Sequence, residues 1–158
     1  MDVIRVVWGA GSGPTAMASY DAALADAGVH NYNLVQVSSM MPPEAEVEAV
    51  GTAGDLGEVG GRLTVVEARA TATDPGHVSA GLAWAQSPDG GLFYEAAGPT
   101  DAADVEERVR QGLAAGQELR SAWSFDDPRV RVQSAQVEPG THTTAVVLAV
   151  YGTADALV

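Results

Sequence analysis

Cysteine is absent from all 158 residues, and so is lysine: the basic side chains are eight arginines, at positions 5, 62, 69, 108, 110, 120, 129 and 131. Without cysteine the chain forms no disulfide, no thiolate nucleophile, no cysteine-ligated zinc site and no iron–sulfur cluster. Without lysine it can neither anchor pyridoxal phosphate as a Schiff base, nor run a lysine-dependent aldol reaction, nor build a Walker A phosphate loop. Any carbonyl chemistry needs another electrophile. Positive charge is scarce too, since eight Arg against 21 Asp and Glu leave a net charge of −13. Too few cations remain to neutralise a run of phosphates, so no nucleic-acid partner is expected. No apolar stretch approaches the roughly twenty residues of a membrane helix. Asp2 and Arg5 interrupt the start before an apolar leader can develop. No membrane partner is expected, and the cytoplasm is the expected location.

The histidines at 30, 77 and 142 lie far apart, and none belongs to a two-histidine metal motif, so no metal is expected. Glu44, Glu46 and Glu48, and the pair Glu106 and Glu107, read as solvated surface. What the chain does have is small and apolar, with 28 Ala, 21 Val and a hydrophobic fraction of 46%. This length supports one domain with a proper core. Abundant acid without lysine matches an Ala- and Arg-biased genome or a salt-rich cytoplasm, and a halophilic source is the preferred reading.

Residues 3–8 (VIRVVW) read as a strand, and residues 16–27 (AMASYDAALADA) as a helix capped by Thr15 and stopped at Gly28. Residues 31–37 read as a second strand, which Pro42 and Pro43 forbid from continuing. Five glycines (51, 54, 57, 60 and 61) make residues 44–61 read as loop. Strands are expected over 62–73, 78–86 and 92–97 as a meander, with SPDGG (87–91) as a hairpin turn. Residues 101–120 place Val105, Val109, Leu113 and, less regularly, Leu119 on one helical stripe. Strands at 129–137 and 143–150 are expected to form a final hairpin through Glu138, Pro139 and Gly140. This order predicts an α+β domain with helices on mostly antiparallel sheets.

Gly9, Ala10, Gly11, Ser12 and Gly13, between strand and helix, suggest a phosphate cradle. The third glycine of the dinucleotide pattern would fall on Pro14, and no acid closes the second strand, so a tight glycine turn is the preferred reading. A nucleotide-binding domain without catalysis is kept as an alternative. The segment NYNLVQVSSMMPPEAEV (31–47) offers different chemistry, because a Ser-Ser pair backed by two prolines can set the Ser39 hydroxyl against the Ser38 carbonyl carbon. Attack by that oxygen converts the peptide into an ester. β-Elimination then breaks the chain and leaves dehydroalanine at 39, and hydrolysis releases ammonia and leaves a pyruvoyl group. Such a ketone does the electron-accepting work of pyridoxal phosphate without a lysine.

Across the glycine cluster, the run YDAALADAGVHNYNLVQVSSMMPPEAEV (20–47), GLFYEAAG (91–98) and the following acidic helix, the sequence resembles the pyruvoyl-dependent arginine decarboxylase family. The resemblance implies cleavage without a protease into a β chain of residues 1–38 and an α chain of residues 39–158. Ser38 becomes a C-terminus, and Ser39 becomes the pyruvoyl group that serves as built-in cofactor in place of pyridoxal phosphate. It further implies Glu95 as proton donor to the decarboxylated carbanion, and Asn33 as an amide that stabilises oxyanion character during processing. Asp21 is implied as the carboxylate that binds the substrate guanidinium. The implied reaction converts L-arginine to agmatine and carbon dioxide in polyamine biosynthesis; the same chemistry on another amino acid is the alternative. The implied fold is a four-layer αββα sandwich, assembled as a trimer or a dimer of trimers with active sites shared between protomers.

Overall fold

The structure, a computed structural model, describes residues 3–158; Asp2, whose charge interrupts the start of the sequence, lies outside the described residues. The elements are β1 (Val3–Gly13), α1 (Ala16–Ala27), β2 (Asn33–Gln36), β3 (Met40–Met41), β4 (Glu46–Gly51), β5 (Arg62–Ala72), β6 (His77–Ser87), β7 (Gly90–Gly98), α2 (Ala102–Glu118), β8 (Arg129–Gln136) and β9 (His142–Asp155). They form an α+β fold with a five-stranded sheet, β2-β5-β9-β1-β4, and a four-stranded sheet, β3-β7-β6-β8. Among the described residues only β1–β4 and β2–β5 pair in parallel.

Period-two alternation sorts the side chains between three clusters. Along β5, Leu63 and Val65 pack with Ala23, Leu24 and Ala27 of α1, while Val66 and Ala68 join Leu82, Trp84 and Phe93 of the other sheet. A third cluster sets Val105, Val109 and Leu113 of α2 against Ala83, Ala85 and Leu92. Each fully buried side chain such as Phe93 or Leu148 contributes about 1.5–3 kcal/mol. Both helix starts are capped as their sequences require: Thr15 accepts from the Ala18 amide at 3.0 Å, and Asp101 accepts from the Asp104 amide at 2.9 Å.

Four expectations change. The glycine run is strand, not turn: residues 9, 11 and 13 share one face of β1, and α1 lies directly on it. A Cβ on Gly11 would stand 2.6 Å from the Ala22 Cβ, so these glycines permit close helix–sheet contact. Second, residues 46–51 are strand rather than loop. β1 offers an unpaired edge whose amides and carbonyls need partners, and β4 satisfies them while Glu46 and Glu48 face water.

Third, the last two strands are not a hairpin, and β5 to β7 are not one meander. β9 is buried on both faces from Thr143 to Val150, which demands a central place between β5 and β1. β8 carries exposed Arg129 and Arg131 and takes the edge beside β6 in the smaller sheet. The chain likewise changes sheets between β5 and β6, leaving only β6–β7 as a hairpin. Fourth, Gly116 completes the buried stripe of α2, and Leu119, at its C-terminal end, is 83% exposed.

Candidate active site

β2 is a short edge strand. It pairs with β5 only from Asn33–Arg62 to Gln36–Val65, and its last tie is the Val37 amide donating to the Val65 carbonyl at 2.9 Å. The chain then leaves the larger sheet, and Met40 and Met41 pair with Leu92 and Gly91 of the smaller one. The Ser38–Ser39 peptide is therefore the crossing between two sheets and belongs to neither ladder. Downstream the crossing is anchored at two carbonyls: Phe93 donates its amide to the Ser39 carbonyl at 2.8 Å, and Tyr151 donates its hydroxyl to the Met40 carbonyl at 2.7 Å. Pro42 and Pro43 follow, and Glu44, at φ 66°, turns the chain towards β4.

Ser38 is exposed and Ser39 half-buried. Ser39 lines a cavity of about 290 Å³ together with Val66, Phe93, Tyr94 and Glu95. Glu95 belongs to β7 and is exposed in the single chain, yet the protein crowds its carboxyl enough that desolvation raises its pKa, and the nearby Glu67 charge raises it further. Burial also holds the Tyr151 phenol up at about 12, so it remains a donor to Met40 across ordinary pH.

Glu95 also borders a second cavity, of about 340 Å³, with Gln36, Glu67 and Arg69. Glu67 is buried, with one oxygen accepting from the Tyr20 hydroxyl at 2.6 Å and the other from the Gln36 amide at 2.7 Å. The Arg69 guanidinium stacks 4.3 Å over the Tyr20 ring. Burial, followed by the Glu67 contact, pushes the Tyr20 phenol well above its ordinary range.

Asp21 and Asn33 line a third cavity, of about 720 Å³, with Tyr20, His30, Tyr32 and Arg69 among its other walls. Asp21 is exposed on α1, and the Asn33 side chain donates to the Gly60 carbonyl at 2.8 Å. One chain thus brings Ser39 together with Glu95, and Asp21 together with Asn33, in separate cavities; Gln36 and Arg69 border both the Asp21 cavity and the Glu67 one. Sequence reading missed Glu67, Tyr20, Gln36, Arg69 and Tyr151. Glu67 did carry a signal, because it is an acid at the position that continues the buried alternation of Leu63 and Val65. The histidines at 30 and 77 are exposed, and among the described residues no three His, Cys, Asp or Glu side chains gather as a metal site requires.

Residues 3–156 match the family model for pyruvoyl-dependent arginine decarboxylase. A protein of that name from Halobacterium salinarum is 54% identical over 157 residues, covering 98% of this chain and 97% of the relative. Another of that name from Pyrococcus abyssi is 32% identical over 149 residues, covering 90% of this chain and 91% of the relative. A third, from Methanocaldococcus jannaschii, is 30% identical over 141 residues, covering 87% and 80%.

Proposed function

The chain belongs to the pyruvoyl-dependent arginine decarboxylase family, and on that premise we propose that it is a self-processing carboxy-lyase converting L-arginine to agmatine and carbon dioxide in polyamine biosynthesis. The observation that carries the reading is the crossing peptide. Ser38–Ser39 lies outside both sheets, its downstream carbonyls are pinned, and Ser39 opens into the cavity bordered by Glu95. Cleavage there separates residues 1–38 from 39–158 without dismantling the core. β1 remains between β4 and β9, paired with β9 from Ile4 to Gly13.

The residues around position 39 fit a built-in ketone. The half-buried side chain meets space on one side, and the Phe93 amide fixes the carbonyl that would flank the ketone. A pyruvoyl group there supplies a carbonyl that takes up an amino group and receives the electrons released as carbon dioxide leaves. Glu95, its carboxyl pKa raised by burial and then by the Glu67 charge, is the group in this cavity suited to hand a proton to the decarboxylated carbon. Asp21 binds the guanidinium through paired, charge-assisted hydrogen bonds. Asn33 offers an amide donor to the oxyanion formed during processing.

In this reading the site is completed between protomers, Asp21 and Asn33 from one copy facing Ser39 and Glu95 of another, in a trimer or a dimer of trimers. The separate cavities support it, as do Val35, Val37, Met40 and Tyr94, which remain exposed around the crossing. Cores between the sheets and under each helix support a four-layer αββα sandwich. The lysine-free acidic composition and the Halobacterium relative support a halophilic source, and no described helix is long and apolar enough to cross a membrane. The nucleotide-binding alternative loses its basis, because Gly9–Gly13 is strand packed under α1.

Denatured intact mass tests the proposal. The expected result is two pieces, residues 1–38 and 39–158, the larger lighter by the elements of ammonia than simple hydrolysis would leave it. A single intact chain after incubation in high salt at neutral pH refutes it.

A further inference from the structure

We propose that Glu67 is a positioning residue for this reaction: its buried charge, clamped by Tyr20 and Gln36 on the open flank of the larger sheet, holds the proton on the Glu95 carboxyl. The inference rests on the reading of Glu95 as proton donor and adds what keeps that donor loaded.

The geometry begins with β2. Because its pairing to β5 stops at Gln36–Val65, no strand pairs with the outer edge of β5 from Val66 onward, and β7 of the smaller sheet borders the gap with Glu95. On β5, Leu63 and Val65 bury their side chains under α1, and Glu67 follows them at the same spacing. An unpaired carboxylate there would be costly, and the fold satisfies it with one donor from α1 and one from β2. Tyr20 and Gln36 each donate to one Glu67 oxygen, and donors of this kind favour the charged form of a carboxyl. Two carboxyls on one cavity disfavour ionisation of both. The two donors serve Glu67, so of the two carboxyls the arrangement favours the proton on Glu95.

The ionisable groups facing this gap are Tyr20 from α1, Glu67 and Arg69 from β5, and Glu95 from β7. β2 contributes the uncharged Gln36, and the strands flanking β5 and β7 place Leu148 and Leu82 opposite the two acids. The acids and arginines of α2 lie behind β7, where Tyr94 packs against Gly112 and Gly116. Arg69 borders the gap with its guanidinium stacked on Tyr20, and Arg131 of β8, across Leu82 from Glu95 on the same face of the smaller sheet, has its guanidinium 3.7 Å over the Trp8 ring. The Glu67 contribution to the upward shift of Glu95 agrees with this arrangement.

The test compares wild type, E67Q, E67D and R69Q in two readouts. The first is the pH profile of kcat for carbon dioxide release from arginine. The second is the titration of the ¹³C-labelled Glu95 carboxyl in the uncleaved S39A chain, assigned by its loss in E95Q. E67Q is expected to move both the alkaline limb and the Glu95 midpoint down by about 0.5 pH unit or more, E67D to leave both near wild type, and R69Q to move both up. Unmoved midpoints in E67Q overturn the inference; damage in E67D with a benign E67Q, and no pH shift in either, marks Glu67 as purely structural. Should E67Q fail to fold, E67M, uncharged and of similar length at a buried position, is read in its place: a lowered Glu95 midpoint supports the inference and an unmoved one overturns it. A wild type that releases no carbon dioxide refutes the decarboxylase reading, while the S39A titration still decides the role of Glu67.

Discussion

Replacing Gly11 by Ala tests the placement of α1, and with it the geometry that carries Tyr20 and Asp21. The added Cβ would meet the Ala22 Cβ at 2.6 Å and the Ala23 backbone nitrogen at 2.6 Å. Ordinary contacts between carbons are about 3.5–4.0 Å, so relief requires a movement of roughly 1 Å. The Ala23 nitrogen is helix backbone and cannot rotate away; the helix itself must shift. Overpacking of this kind costs about 1–3 kcal/mol, less about 0.4–1 kcal/mol from the stiffer unfolded chain. At about 2–4 °C per kcal/mol for a chain of this size, the net cost of up to about 2.6 kcal/mol corresponds to a fall in Tm of up to about 10 °C. The shift also displaces Asp21, which α1 carries, so KM for arginine rises. Thermal unfolding of uncleaved S39A chains at fixed high salt isolates the packing cost. Gly54→Ala, where a Cβ meets nothing within 4 Å, is the control and stays within about ±0.5 kcal/mol. A G11A chain as stable as its parent refutes the packing argument and reopens an uncovered glycine turn.

Two further substitutions address the reaction. E95Q keeps self-cleavage and lowers kcat by about 10²–10⁴-fold, as expected for loss of a general acid; a kcat within threefold of wild type, beside normal cleavage, removes Glu95 from that role. The pH profile carries the sign: with the Glu95 pKa raised, the loaded donor is complete below its midpoint and is lost as pH rises through it, so kcat declines on the alkaline side. D21A leaves the cleavage mass pattern unchanged and weakens arginine binding by about tenfold or more, the scale of a charge-assisted hydrogen bond; unchanged arginine kinetics rejects Asp21 as the anchor.

The sequence by itself determined what depends on local pattern. Thr15 and Gly28 bound α1 because a hydroxyl cap and a residue free to adopt φ 81° are properties of single positions. Val105, Val109 and Leu113 bound the buried face of α2 because helical spacing alone sets that stripe. The missing lysines excluded pyridoxal phosphate anchoring, and the Ser-Ser-x-x-Pro-Pro run marked where the chain leaves a strand.

Only the tertiary structure decided questions of partnership. Whether Gly9–Gly13 is turn or strand depended on β9 pairing with it and α1 covering it, and residues 46–51 became strand because β1 left an edge unpaired. Whether β8 and β9 were neighbours turned on which strand had two buried faces. The site followed the same rule. Ser39 and Glu95 lie 56 positions apart and meet because the chain crosses from one sheet to the other at the serine pair. Glu67 gained meaning only from Tyr20, Gln36 and Glu95, each on a different element. Caps and stripes are set by interactions a few residues apart in the chain; sheet order, shared cavities and the proton balance between two carboxyls are set by contacts that folding alone creates.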